Sequence, residues 1–254
     1  MFATDETLKA KKGIAWLIAL AALMALIAIG LAVAFAFNSA SELHSFAAQD
    51  DKEAIEAASS NKPTVTNATT QVINLVGLMG LSADDVVQKI GHGAAVQDEA
   101  PMSSVGFTSE ETVVLTDEKG DALSGTPTVT LGFDGNGTVA AASYSAPTSL
   151  LGYGNLSFSD AVEEFHIVEN LLGKVGLSGV EEGSVTLPDR KEYSSYGPDR
   201  KTLTSETYTF SGSAQSGDLP YSWTVTLTYD YDEANSTGNL ANTVKKVAVS
   251  IMRE

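Results

Sequence analysis

The chain has 254 residues, 43% hydrophobic and 7% aromatic, with 32 acidic against 15 basic side chains and no cysteine. That composition excludes a collagen, a disulfide-stapled mini-protein and a cysteine-ligated zinc module. A net charge of −17 and a pI near 4.4 exclude nucleic-acid binding by overall charge, leaving only a local basic patch to reverse the sign.

Residues 1–12 carry Lys9, Lys11 and Lys12 against Asp5 and Glu6. Residues 13–37 form an uncharged run of 25 residues, which as a helix at about 1.5 Å per residue exceeds the roughly 30 Å hydrocarbon core. A transmembrane helix is expected there, with Trp16 at one end and Phe35 and Phe37 at the other as interfacial anchors. Beyond it come Glu42, Asp50, Asp51, Glu53 and Glu56, with Lys52 the lone basic residue up to Ser60. The positive-inside rule then puts residues 1–12 in the cytoplasm and 38–254 outside. Ala34-Phe35-Ala36 has the form of a cleavage site, so secretion after cleavage near Ala36 is the alternative, but the run is longer than a signal's apolar region of about 7–15 residues. Removing the three lysines and two acids of the first segment leaves 12 basic and 30 acidic residues outside, a net of −18. An exported chain without cysteine fits a bacterial envelope better than a stapled extracellular module. Residues 38–63, rich in Ala, Ser and acids with sparse Leu43, Phe46 and Ile55, are expected to form a stalk.

The remainder shows an internal duplication at an offset of 96. VINLVGLMGLS at 72–82 and VENLLGKVGLS at 168–178 share seven of eleven residues. TVTLGFD at 128–134 answers TVTLTYD at 224–230, TSEET at 108–112 answers TSET at 204–207, and Gly120-Asp121 answers Gly217-Asp218. Two copies are expected, 64–147 and 155–254. In the first, Val65, Thr69, Val72, Ile73, Val76 and Met79 recur at helical spacing and predict a helix ending near Gly77 to Gly80. Ser82-x-x-Asp85 then predicts a capped second helix stopped by Gly91. In the second copy Ser157-x-x-Asp160 opens a helix whose Phe158, Val162, Phe165, Val168 and Leu172 share one face; its second helix is nearly deleted between Gly179 and Gly183.

Strands are predicted at 112–116, 128–134, 138–144, 203–211, 222–231 and 244–252, with a hairpin at Asp134-Gly135-Asn136-Gly137. In 221–231 Tyr221, Trp223, Val225, Leu227, Tyr229 and Tyr231 alternate with Ser222, Thr224, Thr226, Thr228 and Asp230. One buried and one wet sheet face are therefore expected, and the class is α+β.

GLSADDVVQKIG at 80–91 and LGFDGNGTV at 131–139 resemble the repeats of β-lactamase inhibitory proteins and of the small lipoproteins of the outer-membrane β-barrel assembly machinery. The resemblance spans roughly residues 64–254. It implies two helix-loop-helix units on a shared antiparallel sheet used for protein binding, as an inhibitor or an envelope assembly factor. Unlike those inhibitors, this chain has no cysteine for a disulfide in each repeat. Unlike those lipoproteins, it has two repeats and a membrane helix instead of one repeat and a lipid anchor.

Candidate chemistry is sparse. The three histidines, His44, His92 and His166, fall in the stalk, after a helix-ending glycine and within a predicted helix. No nucleophile elbow, Walker loop or His-Glu-x-x-His motif is present, so neither an enzyme nor a cofactor is expected. Asp230, Asp232, Glu233 and Asn235 could suggest Ca²⁺, but the loop lacks the glycine and final acid of such a site, and no metal is expected. The anomaly is PDRKEYSSYGPDRK at 188–201, where Arg190, Lys191, Arg200 and Lys201, a third of the extracytoplasmic basic residues, flank Tyr193 and Tyr196. The copy-one counterpart around Pro101 to Gly106 is shorter and uncharged. Tyr and Arg dominate interface hot spots, so these six residues are the candidate contact site for another envelope or secreted protein with an acidic surface. A module for a small ligand or cell-wall polymer is the alternative, and an unrecognised hydrolase the least favoured.

Overall fold

The computed structural model describes residues 64–91, 95–101, 109–114 and 127–254. The expected cytoplasmic segment, membrane helix and stalk, with His44, His92 and Gly120-Asp121, lie outside the described residues. Among the described residues no helix is long and apolar enough to cross a membrane.

The protein is α+β. In chain order come a 3-10 turn at Val76–Leu78, helix α1 (Ala83–Ile90), strands β1 (Ala95–Pro101), β2 (Ser109–Val114), β3 (Thr128–Phe133) and β4 (Val139–Pro147), then a 3-10 turn at Thr148–Leu151. A π-helical turn at Asp160–Glu164 leads to α2 (Ile167–Lys174), α3 (Arg190–Tyr193), β5 (Ser194–Tyr196), β6 (Leu203–Ser216), β7 (Leu219–Asp230), α4 (Asp232–Thr237) and β8 (Val244–Arg253). Among the described residues the eight strands join one antiparallel sheet in the order β1-β2-β3-β4-β8-β7-β6-β5. It is two four-stranded runs meeting at a seam between β4 and β8.

Register explains why the sheet holds. Val113, Val129, Tyr144, Val249, Val225 and Phe210 stand opposite one another from β2 to β6, and all are buried. Leu131, Ala142, Ile251 and Trp223 form the next row. Phe158, Val162, Ile167, Val168, Leu171 and Leu172 join the same core, and Phe158 meets Tyr229 edge-on with ring centroids 5.4 Å apart. Each large side chain buried this way contributes about 1.5–3 kcal/mol.

Two local predictions are met atom by atom. Ser82 Oγ accepts the Asp85 N–H at 3.3 Å and donates to its carboxylate at 2.7 Å, and α1 stops at Gly91 with φ +62. In the 134–137 turn Asp134 Oδ1 accepts the Asn136 and Thr138 N–H groups at 2.9 and 3.1 Å, which holds the Asp134 carboxyl below its usual pKa.

Four expectations are corrected. The first helix of 64–147 is absent: only Val76–Leu78 turns, as a 3-10 segment. Seven of the ten residues 64–73 are β-branched, a poor helix composition. Their backbone bonds instead reach across the chain, Thr66 to Gly152 and Thr69 to Leu150. The helix from Ser157 is broken after its π turn, with His166 at φ +46 and not inside a helix. Ile167 lies nine residues after Phe158, about two and a half turns, so an unbroken helix would aim the two in opposite directions; the break buries both. Thirdly, the Ser/Thr face of the central strands is not wet. Ser222, Thr224, Thr226 and Ser250 are buried, because short side chains at the middle of a wide sheet are flanked on both sides by neighbours in register. Several hydroxyls satisfy one another, Thr209 with Thr226 and Ser250 with Ser143, each at 2.9 Å. Finally, β1 and β5 lie where no strand was predicted.

Candidate functional site

The 188–201 segment folds onto the outer end of the sheet. α3 and β5 place Arg190 and Tyr193 along a groove of about 580 Å³, whose other walls come from Phe158, Leu203, Glu206, Tyr231, Asn235 and Leu240. Glu206 comes from β6, where Glu206, Tyr208 and Phe210 share the alternation that faces the core; the acid is only 6% exposed. Burying a carboxylate demands partners, and they are present. The Tyr231 hydroxyl donates to Oε2 at 2.6 Å, Ser194 Oγ donates to Oε1 at 3.4 Å, and Arg190 Nη2 lies 3.6 Å from Oε1. Burial, reinforced by the Glu206 carboxylate, pushes the phenols of Tyr231 and Tyr193 above their ordinary pKa. The Tyr193 ring stacks on Phe158 at 5.0 Å and 12°, which extends the aromatic core outward to the groove wall. Leu240, 74% exposed, stands on the rim.

The six sequence candidates separate into two groups. Arg190 and Tyr193 line the groove, where one neutralises Glu206 and the other packs on the core. Lys191, Tyr196, Arg200 and Lys201 stand outside it on exposed surface, Tyr196 at 46% and Lys191 beside Asp189 at 3.0 Å. The 197–202 turn that presents Arg200 and Lys201 is tied by Asp199. Its carboxylate accepts the Thr202 hydroxyl at 2.6 Å and the Lys201 and Thr202 N–H groups at 2.9 and 3.0 Å. These bonds hold its pKa down at about 2.

Sequence reasoning missed Glu206, Tyr231 and Leu240. An acid standing in an apolar alternation was the available signal for Glu206; nothing local marks Leu240. His166 Nε2 lies 3.7 Å from Glu182, remote in role from the groove lining. Asp230 Oδ1 accepts the Asp232 N–H at 2.9 Å and Asn235 Nδ2 donates to the Leu203 carbonyl at 2.8 Å, so that cluster holds the turn into α4 and ties the helix to β6. Among the described residues no group of three His, Cys, Asp or Glu side chains converges as a metal site. The groove offers stacking, a carboxylate, a phenol and a guanidinium: recognition chemistry in an α+β protein with one eight-stranded antiparallel sheet. The chain matches no family model, no curated protein and no solved structure.

Proposed function

We propose that this is a membrane-anchored, extracytoplasmic protein-binding domain, built from duplicated units 64–147 and 155–254, acting without catalysis as an inhibitor or envelope assembly factor. The mirrored strand order supports the duplication: TVTLGF lies in β3 and TVTLTY in β7, each the second strand from the seam. The resemblance to β-lactamase inhibitory proteins and the assembly lipoproteins supports binding as the use of such a sheet.

The observation that carries the contact site is the exposed Tyr196–Lys201 turn, a cationic and aromatic projection beside an aromatic groove on a chain of net charge −17. Such a projection selects an acidic partner surface and is screened by salt. Full-length protein used as bait on native membranes should capture a partner at low salt. The double variant Arg200→Ser/Lys201→Ser should lose most of that capture while keeping its melting temperature. Capture unaffected by the substitutions would remove this surface from the account. A small-ligand or cell-wall polymer module remains the second reading, favoured by the groove itself, whose 580 Å³ is within the range of ligand pockets.

A further inference from the structure

β6 has 14 residues, yet its outer side is paired only at its two ends. β5 covers one end through Ser194 opposite Glu206, Ser195 opposite Ser205 and Tyr196 opposite Leu203. At the other end Ser178 N–H donates to the Gln215 carbonyl at 2.7 Å and Gln215 N–H to the Ser178 carbonyl at 3.4 Å. In an antiparallel ladder a residue sends its N–H and C=O to the same side, and that side alternates along the strand. Gln215 points outward, so Ser213, Ser211, Thr209 and Thr207 do as well. The Thr204 carbonyl, taken by Tyr231 N–H at 2.9 Å on the opposite side, obeys the same alternation. The pairing of Ser194 with Glu206 sets Thr207 against Tyr193 at the end of β5, and among the described residues nothing bonds to the outward backbone groups of Thr209, Ser211 and Ser213.

Residues 208–214 therefore form an open lane, about 24 Å long at roughly 3.4 Å per residue. It reads YTFSGSA, with no charge and no proline, the usual guards of an exposed edge. Beside it runs Ser184–Thr186, anchored by Val185 N–H donating to Glu169 Oε1 at 2.9 Å. A slot of about 330 Å³ separates that segment from Tyr208, Phe210 and Trp223. Trp223 is buried, and its indole N–H has no acceptor among the described residues.

We propose that this lane binds an extended segment of another polypeptide as an added strand. Main-chain bonds to Thr209, Ser211 and Ser213 would hold it, with apolar side chains at alternate positions entering the slot. A second copy does not fit, because its own 14-residue β6 would run into β5 and Ser178, which close the lane at both ends. The net charge of −17 selects a neutral or basic segment. The proposal is independent of the 188–201 surface and stands if that surface proves inert.

The probe is the acetylated octapeptide Lys-Val-Thr-Val-Thr-Val-Thr-Lys, with an analogue methylated at alternate backbone nitrogens, added at millimolar concentration to the full-length chain. The unmethylated peptide should slow amide hydrogen exchange at Thr209, Ser211 and Ser213 by about ten-fold or more, and the methylated one should not. Ser211→Pro removes an N–H that no neighbouring strand uses, so it should keep the melting temperature and weaken peptide binding by about ten-fold or more. Exchange unchanged at all three amides, or equal protection by the methylated peptide, overturns the proposal without depending on any variant.

Discussion

The seam and the rim of the sheet obey different rules. At the seam, β4, β8 and β7 bury Tyr144, Val249 and Val225 on one face and Ser250 and Thr224 on the other. At the rim, β5 is three residues long, Tyr196 and Leu240 are exposed, and one buried acid draws in a tyrosine, a serine and an arginine. Burial is concentrated where register puts side chains opposite each other, and polar and aromatic side chains stay exposed where register runs out.

The largest effect should come from the inner rows. Trp223→Ala should cost about 3–5 kcal/mol in denaturant unfolding; a loss under 1 kcal/mol would blur the distinction between seam and rim. Glu206→Ala sharpens it from the other side. Removing the carboxylate leaves the half-buried Tyr231 hydroxyl and Arg190 without their partner, which should cost about 1–3 kcal/mol, and should also alter the groove. Thr226→Ala strips the hydroxyl bonded to Thr209 and should cost about 0.5–1.5 kcal/mol. A wet-face position would show almost nothing, so this substitution decides whether the hydroxyl face is structural. Smallest of all, Arg200→Ser/Lys201→Ser should change stability by less than about 0.5 kcal/mol.

The Asp199 turn gives a pH signature. Its carboxyl is held at about 2, below the usual 3.8, so the bonds that order residues 199–202 are fully present above pH 4 and are lost as pH falls through 2. A carboxyl resonance titrating near 4 would mean that the turn is not tied as described.

Periodicity made much of the sheet legible. The alternation in 221–231, the Asp-Gly-Asn-Gly hairpin and the Ser82–Asp85 cap each rest on neighbours a few residues apart. What escaped rests on distance. The segment 64–79 has apolar residues at helical spacing, but its backbone bonds go to residues such as Leu150 and Gly152, some 80 positions away. The burial of Thr224 depends on neighbours in β6 and β8 that no local pattern names. In the site, composition singled out the 188–201 segment, but Glu206 draws Arg190 into a structural role, and only the tertiary fold brings Tyr231 and Leu240 to the same groove.

The most direct test of protein binding at the rim is site-specific photocrosslinking in intact cells, with a benzophenone side chain placed either at Tyr196 or at the exposed Gln88 of α1, on the other half of the fold. Position 196 should give a discrete crosslink to one other protein and position 88 should not. An absence of crosslinks at 196, or the same products from both positions, would contradict the account.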